Sequence, residues 1–339
     1  MTTRGEAAAA VREMVVAGRL SLTISTAASL GVADALASGP RRADDLAAEL
    51  SCHSRTLYRL LRTLAAAGIL REGPDETFEL TELGEVLRAD VEGSVRDQAV
   101  LYGRPDMLAA WGNLEHSIRT GDNAFSALHG EDVWSWRRAR PHESTIFNRA
   151  MASISAPVGP AMAAAFDFGG VARVADIGGG NGTLMAAILA RHPHLHGIVF
   201  DQPAVVTQAA PVLAAAGLAD RCEVTGGDFF QEVPAADVYI MKSILHDWID
   251  ADAIRILRTI RRAAGPHSRL LLVEQVLGPP NEDLGGKLSD LHMLVMPGGE
   301  ERTRDEWAAL LQAGGFRLVG IRPVVEHFQL IEAAPASVS

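Results

Sequence analysis

From Val171 onward, short apolar segments at 174–177, 197–200, 223–225, 238–241 and 270–273 alternate with stretches of helical periodicity. That alternation restricts the chain to a mostly parallel sheet with helices on both faces, because parallel neighbours need a long, usually helical, crossover. Ligands of such sheets bind outside the carboxyl ends of the strands. The turns after these five segments are therefore where functional residues belong. Two further candidates, 316–321 and 326–331, are separated by too few residues for a crossover and are expected to pair antiparallel.

The first hundred residues read differently. Residues 23–37 repeat apolar side chains at helical spacing (Ala28, Leu30, Val32, Ala33, Leu36) until Pro40, and a second helix is expected over 43–50. Ser54 is placed to cap a third, with Leu57, Leu60, Leu61 and Leu64 on one face and Gly68 at its end. Residues 69–80 then read as a hairpin around Gly73-Pro74-Asp75, which completes the element order of a winged helix. The stretch 95–167 is largely helical, with breaks at Gly103-Arg104-Pro105, Gly121-Asp122-Asn123 and Pro141. A chain of 339 residues exceeds what one core ordinarily organises. We therefore expect a winged-helix-like unit over 1–100, a helical bridge over 101–165 and an α/β unit over 166–339.

Composition narrows the function. A net charge of −11 argues against nucleic acid as a partner. Arg55, Arg59 and Arg62 do form a stripe on the helix that would enter a major groove, but Arg71 is followed by Glu72, Asp75 and Glu76 where a basic wing should be. A solvated, salt-bridged face is the plainer reading. No apolar run reaches the roughly 20 residues of a membrane span. Cys52 and Cys222, the two cysteines, fall in different expected units, so a disulfide framework is not expected and a cytoplasmic location fits.

The first strand runs into Asp176-Ile177-Gly178-Gly179-Gly180-Asn181-Gly182 ahead of a helix. Glycines there let the backbone approach a ligand and point free amides at it. A dinucleotide fingerprint would need glycine where Thr183 stands, and Asp176 would repel a pyrophosphate while suiting a ligand with a sulfonium and an ammonium. Asp201, 19 positions after Gly182, stands where nucleoside-binding sheets place an acid on the ribose hydroxyls. Gly227-Asp228-Phe229 after the third strand joins an acceptor for an exocyclic amine to an aromatic face, as an adenine requires. Singly, each also reads as a tight turn or a capping carboxylate. Their recurrence at three successive strand ends is the signal.

These runs, together with Phe200-Asp201-Gln202-Pro203 and Lys242-Ser243-Ile244-Leu245-His246-Asp247-Trp248, resemble the plant-type, caffeate O-methyltransferase-like family of small-molecule O-methyltransferases and its actinobacterial natural-product branch. The resemblance covers nearly the whole chain. It implies a Rossmann-like class I methyltransferase domain, an α-helical winged-helix domain that forms a homodimer, and S-adenosylmethionine as cofactor with S-adenosylhomocysteine as product. Gly178, Asp201, Asp228, Phe229 and Lys242 would hold the cofactor, beside Asp176 and Gly180. His246 would be the general base, with Glu274 and Glu301 flanking it, although Glu300 could take the place of Glu301. By the same resemblance Phe147, Met151 and Met293 would line a pocket for a small aromatic acceptor.

The chemistry agrees with that assignment. A phenol with a pKa of about 10 is a poor nucleophile at neutral pH, and a histidine that takes its proton contributes roughly 10²–10⁴ in rate. Alignment of the two substrates contributes up to roughly 7–11 kcal/mol. His246 should therefore matter without being everything. No metal is needed for such a displacement, and His192, His194 and His196 read as a solvated loop. Oxygen, nitrogen and carbon remain open as the acceptor atom, and a backbone-bonded helix start remains the plain alternative for His246.

Overall fold

Leucine spacing organises the amino-terminal region of the computed structural model, which describes residues 3–336. The helix Ser54–Ala66 buries Leu57, Leu61 and Leu64, which join Val32, Leu36, Leu46 and Phe78 in one apolar cluster. Strands β1 (Arg41–Arg42), β2 (Leu70–Glu72) and β3 (Thr77–Leu80) form an antiparallel sheet ordered β1-β3-β2 beside it. The winged-helix order is present, with two local differences. Gly31 adopts φ 76° and divides residues 23–37 between the helices Gly18–Leu30 and Val32–Ala35, a turn that glycine makes without steric cost. His53 is the N-cap of the leucine helix, and the Ser54 hydroxyl instead donates to Asp44.

Two of the arginines of that helix are engaged locally. Arg55 and Arg62 lie 5.5 Å and 5.7 Å from the ring centre of Tyr58, whose hydroxyl donates to Glu72, while Arg71 pairs with Glu79. Ahead of them, the helix Arg4–Val16 opens with a Thr3–Glu6 capping box and buries none of its residues.

The chain divides into two units. One is the chain up to Gly112 with Ser135–Ser155; the other is Asn113–Trp134 with everything from Ala156 onward. The stretch 101–165 is thus shared between them. In the first unit Arg149 donates to Asp97 at 3.1 Å and the Ser153 hydroxyl bonds the Ser94 carbonyl, tying the helix Pro141–Ser155 to its neighbours. In the second, the Asn123 amide donates to the carbonyls of Leu294 and Met296, both at 2.9 Å.

The second unit is built on β4 (Arg173–Ile177), β5 (His196–Asp201), β6 (Cys222–Gly226), β7 (Val238–Lys242), β8 (Arg269–Leu277), the short β9 (Arg302–Thr303), β10 (Phe316–Val325) and β11 (Phe328–Pro335). The order is β10-β11-β8-β7-β4-β5-β6, with β9 beside the end of β8. Strands β4 to β8 pair in parallel and the closing hairpin antiparallel, as the spacing predicts. Glu274 lies inside β8 and does not close it. The parallel pairing of β7 with β8 stops at Lys242 and Val273, but β11 continues to pair with β8 through Gln275.

His194 and His196 are exposed, as a solvated loop predicts, and His192 is half-buried, but carbonyl contacts hold both His192 and His194. Their Nε2 atoms pair with the carbonyls of Ala163 at 2.8 Å and Phe168 at 3.1 Å, and His192 packs on the Phe168 ring at 4.9 Å. Each carbonyl is thereby satisfied by a nearby ring nitrogen.

Under the sheet, Trp307 is fully buried among Ile256, Leu257, Leu311 and Phe316. Trp307→Ala is expected to lower unfolding free energy by about 3–5 kcal/mol, whereas Ile118→Ala, at a site 64% exposed, should change it by less than about 0.5 kcal/mol. Urea titration of both variants checks the contrast.

Candidate active site

Strand β4 has β5 on one side and β7 on the other, so the strand order reverses at its carboxyl end. A crevice opens at such a point. Here the chain leaves β4 through Gly178, Gly180 and Gly182, all at positive φ (75°, 55° and 74°). A Cβ on Gly178 would stand 2.5 Å from Cδ1 of Ile244, so backbone and side chain meet with no room to spare. The amides of Gly178 and Gly179 donate to the Phe200 carbonyl, which fixes the turn against β5.

Asp176 is buried below this turn, and its Oδ2 has no hydrogen-bond partner among the described residues. Burial pushes its carboxyl up to about 7, against the pull of Lys242. An unsatisfied buried oxygen at a glycine turn is what an incoming ammonium or ordered water would complete. Asp201 accepts from the Gly180 amide at 2.9 Å and from the Gln202 amide at 2.6 Å. Burial raises its pKa and these two amides lower it. They hold the carboxylate at the mouth of the turn with lone pairs remaining for ribose hydroxyls.

Asp228 accepts from the Phe230 amide and the Gln231 side chain. That capping presents Phe229, whose ring lies 5.2 Å from Phe230 and 6.1 Å, edge to face, from Trp248. Lys242 ends β7 with Nζ 3.4 Å from the Ser243 hydroxyl and 5.6 Å from the Phe328 ring centre. Burial draws its ammonium below the usual range, while Glu274, Asp176 and Asp247 hold it up.

His246 follows in a short 3-10 turn, Leu245–Asp247. Its Nδ1 lies 3.1 Å from Glu301 Oε1 and 3.7 Å from Glu274 Oε2, and its Nε2 lies 3.6 Å from Asp247 Oδ1. Glu301, not Glu274, is thus the hydrogen-bond partner. Glu274 is fully buried and spends Oε1 on the amides of Ile244 and Leu245, both at 3.0 Å. Glu301 also accepts from the Ser289 hydroxyl at 2.9 Å, while its own amide donates to Asp290. Glu300 turns away to Arg302. Burial would push the imidazolium down, but Glu274, Asp247 and Glu301 outweigh it and raise its pKa to about 10. Burial likewise pushes Glu274 up to about 7, against the attraction of His246.

Asp176, Gly178, Gly180, Asp201, Asp228, Phe229, Lys242, His246, Glu274 and Glu301 all belong to the second unit; Asp201 and Lys242 end β5 and β7, Asp176 and Glu274 lie inside β4 and β8, and Glu301 precedes β9. Met293 is buried on the helix Leu284–Val295 of the same unit. Phe147 and Met151 lie on Pro141–Ser155 of the first unit, where the Arg137 guanidinium stands 3.7 Å from the Phe147 ring centre. Ser289, Asp290 and Arg302 went unmarked in the sequence reading.

A parallel sheet with an antiparallel closing hairpin, a glycine turn over an unsatisfied carboxylate, and acids on the next two strand ends define a class I methyltransferase that uses S-adenosylmethionine. Comparison with known proteins makes the assignment specific. The O-methyltransferase domain model matches residues 111–317 and the O-methyltransferase dimerisation domain model matches residues 14–90. The chain belongs to this O-methyltransferase family. It is 40% identical to a phenazine O-methyltransferase of Lysobacter antibioticus over 95% of both chains. It is also 40% identical to an 8-amino-8-demethylriboflavin N,N-dimethyltransferase of Streptomyces davaonensis, over 93% of this chain and 91% of that one. A solved O-methyltransferase of neocarzinostatin biosynthesis, in complex with S-adenosylmethionine and 2-hydroxy-5-methyl naphthoic acid, superposes with a TM-score of 0.82 at 32% identity, covering 93% of this chain and 96% of the other.

Calorimetry with S-adenosylhomocysteine checks the cofactor residues. Asp201→Ala should weaken binding by about 5- to 100-fold, the range for losing one buried hydrogen-bonding partner. Gly178→Ala should weaken it too, because the added methyl meets Ile244 at a left-handed φ.

Proposed function

We propose that this enzyme methylates a phenolic hydroxyl of a small aromatic molecule, with His246 as general base and with Glu301 and Glu274 setting its tautomer and charge. The observation that carries this reading is the 3.1 Å contact of His246 Nδ1 with Glu301. A carboxylate that accepts a hydrogen bond from Nδ1–H keeps the proton on that nitrogen and leaves the Nε2 lone pair of the neutral ring for an acceptor hydroxyl. S-adenosylmethionine, when bound, supplies an electrophilic methyl group on a cationic sulfur. The remaining task of the protein is to deliver a nucleophilic oxygen in line and to take its proton.

The raised pKa suits that task. An imidazolium near 10 matches a phenol of about 10, so the proton lies on either partner at little cost. The reactive pair holds one proton fewer than imidazolium with phenol. Turnover should therefore rise with pH, and the rise should fall on the alkaline side of an ordinary histidine.

The relatives support an aromatic acceptor, since one acts on a phenazine and another was solved with a naphthoic acid. Of the residues expected to line its pocket we assign Met293, because its helix also holds Ser289 and Asp290 against Glu301. The N,N-dimethyltransferase relative favours an amine as a second reading. We further propose a cytoplasmic homodimer formed through the first unit. The dimerisation domain match supports this, as do Val11, Met14 and Val15, which are 57%, 73% and 78% exposed on Arg4–Val16.

Incubation with S-adenosylmethionine and a panel of hydroxyphenazines, hydroxynaphthoates and their amino analogues, read by mass spectrometry, should give methyl ethers. Exclusive N-methylation would overturn the phenolic assignment. On the best acceptor, kcat/KM should climb into the alkaline range, Glu301→Gln should move the climb to lower pH by removing a negative charge, and His246→Ala should lose roughly 10²–10⁴ in rate. Light scattering should return twice the 36.1 kDa chain mass, and a monomer at all concentrations would contradict the dimer.

A further inference from the structure

A three-residue 3-10 turn has too few internal hydrogen bonds to hold a side chain still. The turn that carries His246 also follows Ser243, which adopts φ 53°, a conformation unfavourable for a residue other than glycine. Bonds from outside must fix it.

They come from two places. Glu274 takes the amides of Ile244 and Leu245. The segment Glu300-Glu301-Arg302 takes the carbonyls: the Glu300 amide donates to His246 O at 2.9 Å, Arg302 Nη1 to Leu245 O at 3.2 Å, and Arg302 Nη2 to Trp248 O at 2.9 Å. One guanidinium thus grips a carbonyl on each side of the histidine. We infer that Arg302 is the positioning residue for His246, fixing the turn that bears the base and, through its chain neighbour Glu301, the distance from the base to its carboxylate.

The side chain is built for this use. It is 2% exposed, and its other donors meet Asp250 Oδ1, the Glu300 carbonyl and Glu300 Oε1, while its plane lies 5.3 Å from the Trp307 ring centre. A buried cation is tolerated only when it is paired and fully bonded, and both conditions hold here. Asp250 and Glu300, 66% and 45% exposed, meet it from the solvent side. Lysine could not replace it, because an ammonium is a point donor that cannot hold two carbonyls and a carboxylate in one fork. The close fit of the segment has a second sign. A Cβ on Gly299 would stand within 1.9 Å of His246 O, so these two stretches of backbone touch.

Covalent adjacency does the rest. Glu301 lies between the residue that bonds His246 O and the residue that bonds Leu245 O and Trp248 O, so whatever moves the clamp moves the carboxylate with it. Loosening Arg302 should change the Nδ1 to Oε1 contact without touching the glycine turn, Asp201 or Asp228.

The role in turnover rests on His246 as the base; the clamp itself is measurable without turnover. Histidine 15N-labelled wild type and R302K, both saturated with S-adenosylhomocysteine, are compared by NMR. Wild type should show the His246 Nδ1 proton as a slowly exchanging downfield signal. R302K should speed its exchange at least about tenfold, with S-adenosylhomocysteine affinity held within about twofold. With 1,4-dihydroxy-2-naphthoate as acceptor, R302K should lower kcat by about 10- to 100-fold, the cost of misplacing a catalytic group by about 1 Å, with little change in KM and no further loss in a His246→Ala background. An unchanged Nδ1 signal, or equal losses in both backgrounds, overturns the inference. Should R302K not fold, D250N loosens the same fork from the surface and must show a smaller effect in the same direction, again absent in the His246→Ala background. If the naphthoate is not methylated, the NMR comparison alone decides.

Discussion

Burying an imidazole against two carboxylates is unfavourable unless the peptide groups around them hold the charges in place. In this methyltransferase those peptide groups belong to the turn that carries the imidazole. Glu274 divides itself between two amides of that turn and the Nδ1 edge of the His246 ring, and Glu301 between the same nitrogen and Ser289. Strands β4 and β7, neighbours in the sheet, supply Asp176 near the end of the first and Lys242 at the end of the second. Three buried oxygens left without a hydrogen bond among the described residues (Oδ2 of Asp176, Oε2 of Glu274 and Oε2 of Glu301) are a cost accepted inside one crevice. Unsatisfied groups concentrated in one place mark a functional site, not a stability device.

Much of this was legible in the sequence, for identifiable reasons. Alternating apolar segments fixed the parallel strands because each must be buried on both faces, and the short gap around Pro323 fixed the antiparallel hairpin. The cofactor turn was legible because glycine at 178, 180 and 182 has few other uses, and all three adopt positive φ. Local details were less so. Ser54 looked like a cap, but Asp44, ten residues earlier, claimed its hydroxyl. The helix over 23–37 broke at Gly31, which periodicity alone passes over.

The arrangement around the base was hidden more deeply. Glu274 and Glu301 were both marked, but nothing local could say which would bond Nδ1, since that depends on β11 extending β8 beyond Val273 and on the 300–302 segment folding back over the turn. Arg302 went unread because its role is to donate to main-chain carbonyls, and no residue type announces that. Phe147 and Met151 belong to one unit and Met293 to the other. No motif in the sequence marks that division, nor does any name an acceptor, and the relatives are named for acceptors as different as a phenazine and an 8-amino-8-demethylriboflavin.

The central claim is that neighbouring carboxylates, against the effect of burial, make His246 a base far stronger than free histidine. Titration of the His246 ring by its own NMR signal in the cofactor-free protein tests it without any acceptor. The account predicts an imidazolium that persists well above the ordinary histidine value, toward about 10. A midpoint at or below about 6.5, the value of an unperturbed histidine, would mean that burial wins over the carboxylates, and the account of the base would be contradicted.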